Sequence, residues 1–316
     1  MTGGTGFIGQ KLVPRLVARG DTVRLLSRSI AASEQPSRIE HCQCDLLSVQ
    51  TNDLASMLEG VEVLYHCAGQ LTNPQTMRAL HVDATHKLVK AASGRVNHWV
   101  QLSSVGVYGS VKAGIITEDS VLNPTGLYEI TKAESDKIVA LGSKNGGFSH
   151  SILRPSNVFG PEMSNQSLYK MVSMIDKGWF FYIGKRGASA NYIHVDNVVS
   201  GLIRCGTMNA AKDRVFNISD HRTLEQFVGV IADALARSTP RWRIPFFMAY
   251  LAGVTLGNLP SFPLTRSRVD ALANFSIYSI SRIQQELGYR EAISMEQGLR
   301  ELVAEYQKRF SQCELK

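Results

Sequence analysis

The chain has 316 residues, of which 34 are Lys or Arg and 27 are Asp or Glu, and 44% of it is hydrophobic. This composition allows a full apolar core in one large domain or two interlocked domains, and it excludes a disordered or fibrous chain. The formal net charge of +7 permits an anionic ligand. Because Lys and Arg form no block of the kind that binds nucleic acids, we expect no nucleic-acid partner.

The first predicted elements are a glycine-rich loop and a helix over 7–19. Gly3, Gly6 and Gly9 stand three residues apart at the start of the chain. Gly3 permits a tight turn, Gly6 lets the backbone approach a pyrophosphate, and Gly9 lets the helix pack close to the sheet. The helix N-terminus offers unpaired N–H groups to phosphates. The loop therefore predicts a dinucleotide site with contacts from Gly3, Thr5, Gly6, Phe7, Ile8 and Gly9.

Strands and helices alternate over the first 155 residues. Strands are predicted at 22–27, 38–44, 61–66, 98–102 and 149–153, with helices at 52–58, 75–92 and 127–141. This alternation predicts an α/β fold with a doubly wound, Rossmann-type parallel sheet. We expect a dinucleotide-binding domain at 1–155 and a smaller, mainly substrate-binding α/β domain at 156–316. Segments near 190–220 are expected to return to the first domain.

The end of the strand at 22–27 bears on the choice of dinucleotide. An acidic residue there would hold the ribose hydroxyls of NAD, but the sequence has Arg28 between two serines. Arg28 suits a 2′-phosphate, so NADP is slightly favoured over NAD, and a solvated arginine is the alternative. Asp45 and Leu46 follow the next strand and are predicted to lie beside the adenine. An exposed turn aspartate is the alternative for Asp45.

A catalytic group is predicted where the strand at 98–102 meets the helix at 127–141. Tyr128 and Lys132 are four residues apart, hence on one helix face, and Ser103 and Ser104 follow the strand. An ammonium beside the phenol and the positive nicotinamide ring would favour the phenolate over the ordinary pKa near ~10. Tyr128 could then exchange a proton with a substrate hydroxyl, held also by Ser104, while hydride moves to or from the cofactor.

These motifs, in this order, resemble the extended short-chain dehydrogenase/reductase family, the NAD(P)-dependent epimerase/dehydratase group. The resemblance covers nearly the whole chain and includes HCAG at 66–69, SSVGVYG at 103–109, YEITK at 128–132, LRPSNVFGP at 153–161, YIHVDN at 192–197 and ELGY at 286–289. It implies that Ser104, Tyr128 and Lys132 form the catalytic trio.

The same resemblance implies further contacts. Ala68 and Gly69 would pass under the ribose and phosphate of the cofactor, and Ser103 and Pro155 would line the same site. Asn157 would touch a sugar-nucleotide substrate. Asp196 matches an aspartate before a helix, where we expect an ordinary N-cap. The helices at 75–92 and 127–141 are candidates for a homodimer interface.

Several positions depart from the family pattern. Val105 and Gly106 replace the acidic residues that eliminate water in the dehydratases, which argues against a dehydratase. Ala190 and Asn191 stand where many nucleotide-sugar epimerases have Arg-Asp, so a diphosphate would need Lys185 or Arg186 instead. His81 stands at a position that is usually asparagine.

Three functions remain open. The leading hypothesis is a 4-epimerase or 4-keto reductase of a nucleotide-activated sugar. The second is an NADPH-dependent reductase or dehydrogenase of a hydrophobic alcohol or ketone, similar to the hydroxysteroid and flavonoid branches. The third is a non-catalytic dinucleotide sensor, against which the intact Tyr128 and Lys132 argue.

The cysteines and one apolar stretch bear on the cellular location. The chain has five cysteines: Cys42, Cys44, Cys67, Cys205 and Cys313. Because their number is odd and their spacing is not that of metal ligands, we predict reduced thiols, no metal and a cytoplasmic protein. No signal peptide is expected. Residues 244–265 carry no charge, but prolines and glycines interrupt them, so we expect no transmembrane span. Contact with a membrane surface stays open.

A buried strand should precede the glycine loop, yet only Met1 precedes Thr2. A missing central strand would expose two strand edges. We therefore expect that the written start is an internal methionine or a truncation, and that the chain as written folds poorly. Adding about six apolar residues before Met1 should raise the soluble yield and the cofactor affinity. Equal yields with and without the extension would contradict this expectation.

Overall fold

The computed structural model describes residues 1–29, 38–163, 166–255 and 265–311, without the side chains of residues 267, 310 and 311. The strands are β1 Val23–Ser27, β2 Ile39–Gln43, β3 Val63–His66, β4 His98–Leu102, β5 Ala113–Ile116, β6 Ser149–Pro155, β7 Asn157–Phe159, β8 Tyr182–Ile183, β9 Ser189–His194, β10 Arg214–Ile218, β11 Asp220–Thr223, β12 Arg243–Ile244 and β13 Phe275–Tyr278. The α-helices are α1 Gly9–Ala18, α2 Thr51–Met57, α3 Pro74–Arg78, α4 Ala84–Ala92, α5 Leu127–Gly146, α6 Gln166–Asp176, α7 Val195–Thr207, α8 Leu224–Ala234, α9 Phe246–Thr255, α10 Arg266–Leu272, α11 Ser281–Leu287 and α12 Met295–Ser311.

The main sheet is parallel, which confirms the predicted α/β fold class. One half of the sheet consists of β2 paired with β1. The other half has the strand order β3, β4, β6, β10. Thr2 joins the two halves through parallel bridges to Leu26 and His66. Its N–H donates to the Tyr65 carbonyl at 3.0 Å, and Met1 and Thr2 are both buried. The glycine loop therefore leaves the sheet at its centre, between β1 and β3.

Helices cover both faces of this sheet. On one face, α1, α7 and α11 bury Leu12, Leu202 and Ile283 in one apolar cluster. On the other, α2, α4 and α5 surround Trp99, which is fully buried and stacks on Phe148 with ring centroids 5.9 Å apart. Burial of apolar surface on both faces is what makes an all-parallel sheet stable.

The C-terminal half adds smaller sheets beyond the carboxyl ends of the main strands. β9 pairs with β7 in parallel and with β11 antiparallel, and α6, α8 and α12 pack in one cluster with them. β8 pairs with β12, and β13 pairs with β5. β10 pairs with β6 in the main sheet. The domain boundary at residue 155 stays a prediction.

Two predicted helices differ from those observed. The helix predicted at 127–141 continues to Gly146 and ends where Gly147 adopts a left-handed conformation with φ 71°. The helix predicted at 75–92 consists of α3, a π-helical turn at Ala79–Asp83 and α4. π-Helical turns often mark functional positions, and this one contains His81.

The described residues contain no helix long and apolar enough to cross a membrane, and no group of side chains suited to hold a metal ion. The uncharged stretch at 244–265 forms β12 and α9 as far as residue 255. Four cysteines are free thiols, Cys42, Cys44, Cys67 and Cys205, while Cys313 lies outside the described residues.

Candidate active site

The glycine loop folds against the segment that follows β3. Gly3 has φ 70°, and a Cβ there would lie 2.5 Å from the Ala68 nitrogen. A Cβ at Gly9 would lie 2.1 Å from the Gly3 carbonyl oxygen. The turn is closed by the Gly6 N–H, which donates to that carbonyl at 3.1 Å. Side chains at Gly3 and Gly9 would therefore break this loop, whereas a Cβ at Gly6 would meet only the Gly3 carbonyl oxygen, at 3.4 Å.

The loop fits the pyrophosphate of a dinucleotide. Helix α1 begins directly after it, with no side-chain cap and no acidic residue in its first turn. The Gln10 N–H already donates to the Gly6 carbonyl at 2.9 Å, so what α1 itself offers an anion is the positive end of its dipole. Thr5 and Gly6 are exposed at the tip of the loop. A bound dinucleotide would be held here by backbone N–H groups, with Phe7 and Ile8 flanking it.

Thr2 also positions the segment that contains Ala68 and Gly69. Its hydroxyl pairs with His66 Nδ1 at 2.7 Å and accepts a hydrogen bond from the Ala68 N–H at 3.4 Å. Burial lowers the pKa of His66 to about 3, so the ring is neutral. The contact of Ala68 and Gly69 with a ribose stays a prediction.

The residues predicted to select the dinucleotide lie at the same edge of the sheet. Arg28 is exposed at the end of β1, and residues 30–37, which follow it, lie outside the described part of the chain. Asp45 accepts a hydrogen bond from the Leu47 N–H at 3.0 Å, as a turn aspartate does, and Leu46 is buried beside Leu54 of α2. Their roles beside the adenine stay predictions.

Tyr128 and Ser104 meet where β4 ends and α5 begins. The Ser104 side chain lies close enough to Tyr128 to affect its pKa, and Ser104 Oγ accepts a hydrogen bond from the Gly106 N–H at 3.1 Å. Burial raises the pKa of Tyr128 to about 12, and the neighbouring Ser104 side chain opposes that rise. Tyr128 is therefore a neutral phenol at physiological pH.

Lys132 lies one turn farther along α5 and is buried. Its ammonium donates to the Leu102 carbonyl at the end of β4. Burial lowers the pKa of Lys132, and the nearby Asp136 opposes that shift. We expected this ammonium to lower the pKa of Tyr128, but burial and Asp136 raise that pKa, and Ser104 is the neighbour that lowers it. In this structure Lys132 ties the helix to the sheet.

A buried ion pair that we did not predict lies next to Lys132. Asp136 Oδ2 accepts hydrogen bonds from Arg154 Nε and Nη2, both at 3.2 Å, and from Ser103 Oγ at 2.7 Å. Asp136 and Arg154 are 3% and 5% exposed. Arg154 also donates to the Tyr108 hydroxyl at 3.0 Å. Ser103 donates its hydroxyl proton to Asp136, and its contact with a cofactor stays a prediction.

His81 connects the segment after β3 to the first turn of α5. Its Nε2 accepts from the Gln70 N–H at 2.8 Å, so Nδ1 carries the proton and donates to Thr131 Oγ1 at 2.8 Å. The Thr131 hydroxyl donates in turn to the Tyr128 carbonyl at 3.0 Å. The His81 and Tyr128 rings are 5.6 Å apart, and burial lowers the pKa of His81 to about 4.

The other predicted residues lie around this centre. Pro155 is buried at the end of β6, opposite Ile218, and Asn157 is exposed at the start of β7. The N-cap prediction for Asp196 is wrong, because His194 caps α7 and Asp196 lies in its first turn. There Asp196 Oδ1 pairs with Arg15 Nη2 of α1 at 2.9 Å. The structure thus places the glycine loop, Ser104, Tyr128 and Lys132 at one edge of a parallel sheet.

Comparisons with known proteins establish the family of the chain. The model of the NAD dependent epimerase/dehydratase family matches residues 1–219. The chain belongs to this family and is an enzyme of the extended short-chain dehydrogenase/reductase type, as the resemblance predicted.

Individual relatives are distant. The chain is 26% identical to sterol-4-alpha-carboxylate 3-dehydrogenase, decarboxylating, of Mus musculus, over 96% of this chain and 89% of that protein. It is 26% identical to dTDP-glucose 4,6-dehydratase of Streptomyces griseus, over 98% and 94%. It is also similar to the crystal structure of UDP-glucuronic acid 4-epimerase from Bacillus cereus in complex with NAD, with a TM-score of 0.75, 18% identity and 98% of each chain covered.

The neutral, buried His81 makes the fold sensitive to acid. The unfolded chain binds a proton at His81 near the ordinary pKa of 6.5, whereas the folded chain does so near 4. The free energy of unfolding should therefore fall as the pH falls from 6.5 to 4, by up to about 1.4 kcal/mol per pH unit for this proton. In His81→Asn this part of the slope should disappear. Urea unfolding at several pH values measures it.

The matched control is His86→Asn, because His86 is exposed on α4, whereas His81 is buried. It should keep the wild-type slope. A slope that is the same in His81→Asn as in the wild type would contradict the neutral state assigned to His81.

Proposed function

We propose that the chain is an NAD(P)-dependent oxidoreductase that interconverts a secondary alcohol and a ketone. The observation that carries this proposal is the position of Tyr128, in the first turn of α5, next to Ser104, which follows β4 at the carboxyl edge of the sheet. In open α/β sheets this edge is where ligands bind. The intact pair gives a non-catalytic sensor no support.

The side chains of the site support reduction at neutral pH. A bound dinucleotide supplies or accepts the hydride. With its pKa raised to about 12, Tyr128 holds its proton and can donate it to a ketone oxygen, while the Ser104 hydroxyl binds the same oxygen. Lys132 and the Leu102 carbonyl fix the helix that carries Tyr128. Oxidation of an alcohol requires the phenolate, which becomes more abundant as the pH rises.

The first candidate substrate is a nucleotide-activated sugar, acted on by a 4-epimerase or a 4-keto reductase. Asn157 is exposed beyond the end of β6, where a sugar nucleotide could contact it. Two of the similar proteins are named for nucleotide sugars. Dehydration is not proposed, because Val105 and Gly106 supply no acid or base after Ser104.

The second candidate is a hydrophobic alcohol or ketone, and the charges near residue 190 favour it. Ala190 is buried and its partner across the strands is Arg222. Arg222 is already paired with Asp220 and, at 2.8 Å, with Glu296, so it offers little charge to a diphosphate. One of the relatives is named for a sterol carboxylate, a substrate with a large apolar ring system.

The cofactor specificity is also a proposal. Membership of the NAD dependent family supports NAD. Arg28 is exposed at the end of β1 and could bind the 2′-phosphate of NADP, which supports NADP. A homodimer through α4 and α5 and a cytoplasmic location stay predictions.

Tyr128→Phe should lower the turnover number by about 10²- to 10⁴-fold, because it removes the proton donor. Reduction by the wild type should vary little between pH 6 and 9, since Tyr128 stays protonated well below its pKa of about 12. Single-turnover oxidation of NADPH or NADH measures both effects. Tyr250→Phe on α9 is the matched control and should keep its activity. Full activity of Tyr128→Phe would contradict the role of Tyr128.

The two substrate classes are separated by turnover on a panel of UDP- and dTDP-sugars and a panel of steroid and prenylated ketones. Because Arg222 is neutralised by two carboxylates, we expect turnover of the hydrophobic ketones to exceed that of the sugars. Epimerisation of a nucleotide sugar without added cofactor would instead establish the first candidate. No turnover of either panel by folded protein would contradict both.

A further inference from the structure

Helix α9 presents an apolar face to solvent. Its buried residues are Ala249 and Gly253, which face α10. The opposite face carries large exposed side chains at helical spacing: Phe247 69%, Met248 52%, Leu251 61% and Val254 52% exposed. An exposed apolar stripe of this kind marks an interaction surface.

Two tryptophans extend the apolar surface of the same small unit. Trp179 and Trp242 are 69% and 81% exposed and stand shortly before the paired strands β8 and β12. Because these strands are parallel, both tryptophans lie at the same end of the pair. α9 follows directly after β12. Tryptophan combines an apolar ring with a polar N–H, which suits the boundary between lipid and water.

The charge of the chain is concentrated around this unit. Residues 177–186 and 237–272 contain eight Lys or Arg and one Asp, a net charge of +7 that equals the net charge of the whole chain. Arg243 is paired with Glu225 at 2.6 Å and Arg237 with Asp176 at 3.0 Å. Lys185, Arg186 and Arg241 are exposed. The remaining chain carries equal numbers of acidic and basic residues.

We propose that this unit, α9 with Trp179 and Trp242, docks the enzyme on the surface of an anionic phospholipid bilayer. An apolar face inserts into the headgroup region while the surrounding cations attract acidic lipids. The 10 residues of α9 make a helix about 15 Å long, which can lie in the interface but cannot span it.

Charge also decides between a membrane and a second copy of the chain. A symmetric dimer through α9 would bring the exposed cations Lys185, Arg186 and Arg241 of two copies close together, which is unfavourable. An anionic bilayer neutralises the same charge. The proposal concerns the surface of the enzyme and does not depend on which substrate it reduces.

The test is co-sedimentation of the full chain with vesicles of phosphatidylcholine, with and without 30% phosphatidylserine. Wild-type protein should bind the anionic vesicles, and binding should weaken as salt rises from 0.05 to 0.5 M. Leu251→Glu should lower the partition coefficient at least about tenfold, because it removes apolar contact and adds a repelled charge. Leu71→Glu is the matched control, since Leu71 is 66% exposed elsewhere, and it should bind like the wild type.

Tryptophan fluorescence gives an independent readout. The third tryptophan, Trp99, is fully buried, so a blue shift on adding anionic vesicles must come from Trp179 or Trp242. The shift should vanish in Trp179→Phe/Trp242→Phe, whose folding is checked by circular dichroism. The proposal would be overturned if the wild-type protein did not bind anionic vesicles. It would also be overturned if Leu71→Glu lost as much vesicle binding as Leu251→Glu. Dimerisation that Leu251→Glu abolishes, without vesicle binding, would overturn it in favour of a second copy.

Discussion

The buried ammonium of Lys132 is the constraint on which the site depends. A cation taken out of water must be paired and hydrogen-bonded, or it loses its proton. Lys132 has the Leu102 carbonyl as acceptor and Asp136 as the nearby carboxylate, and Asp136 is held in turn by Arg154. These groups come from β4, α5 and β6, so satisfying one charge fixes the catalytic helix against two strands of the sheet.

The opposite side of the helix is fixed by neutral groups. His81 joins the segment after β3 to Thr131, and through it to the Tyr128 carbonyl. The π-helical turn at Ala79–Asp83 places the His81 ring between the segment after β3 and Thr131 of α5. Tyr128 is thus held from both sides before any ligand binds, which is the preorganisation that acid–base catalysis needs. The exposed face of α9 belongs to a separate unit and leaves this centre unchanged.

The sequence predicted features whose cause is local. The turn at Gly3 and the placement of Tyr128 and Lys132 one turn apart on α5 depend on turn geometry and helix periodicity, and the parallel sheet follows from alternating elements. The sequence did not predict the pair Asp136 and Arg154, because their contact depends on how α5 lies over β6. A carboxylate four residues after Lys132 was the available signal. The bridging position of Thr2 and the pairing of Asp196 with Arg15 likewise depend on packing between distant segments.

The central claim is that the glycine loop and Tyr128 form one dinucleotide-dependent centre. The most direct measurement is to denature the purified, folded protein, identify any released dinucleotide, and titrate the remaining protein with NADH and NADPH. The account predicts one dinucleotide per chain, either carried through purification or bound in the titration. Tightly held NAD would favour an epimerase, and an empty site that binds NADPH would favour a reductase. Folded protein that neither carries nor binds a dinucleotide would contradict the account.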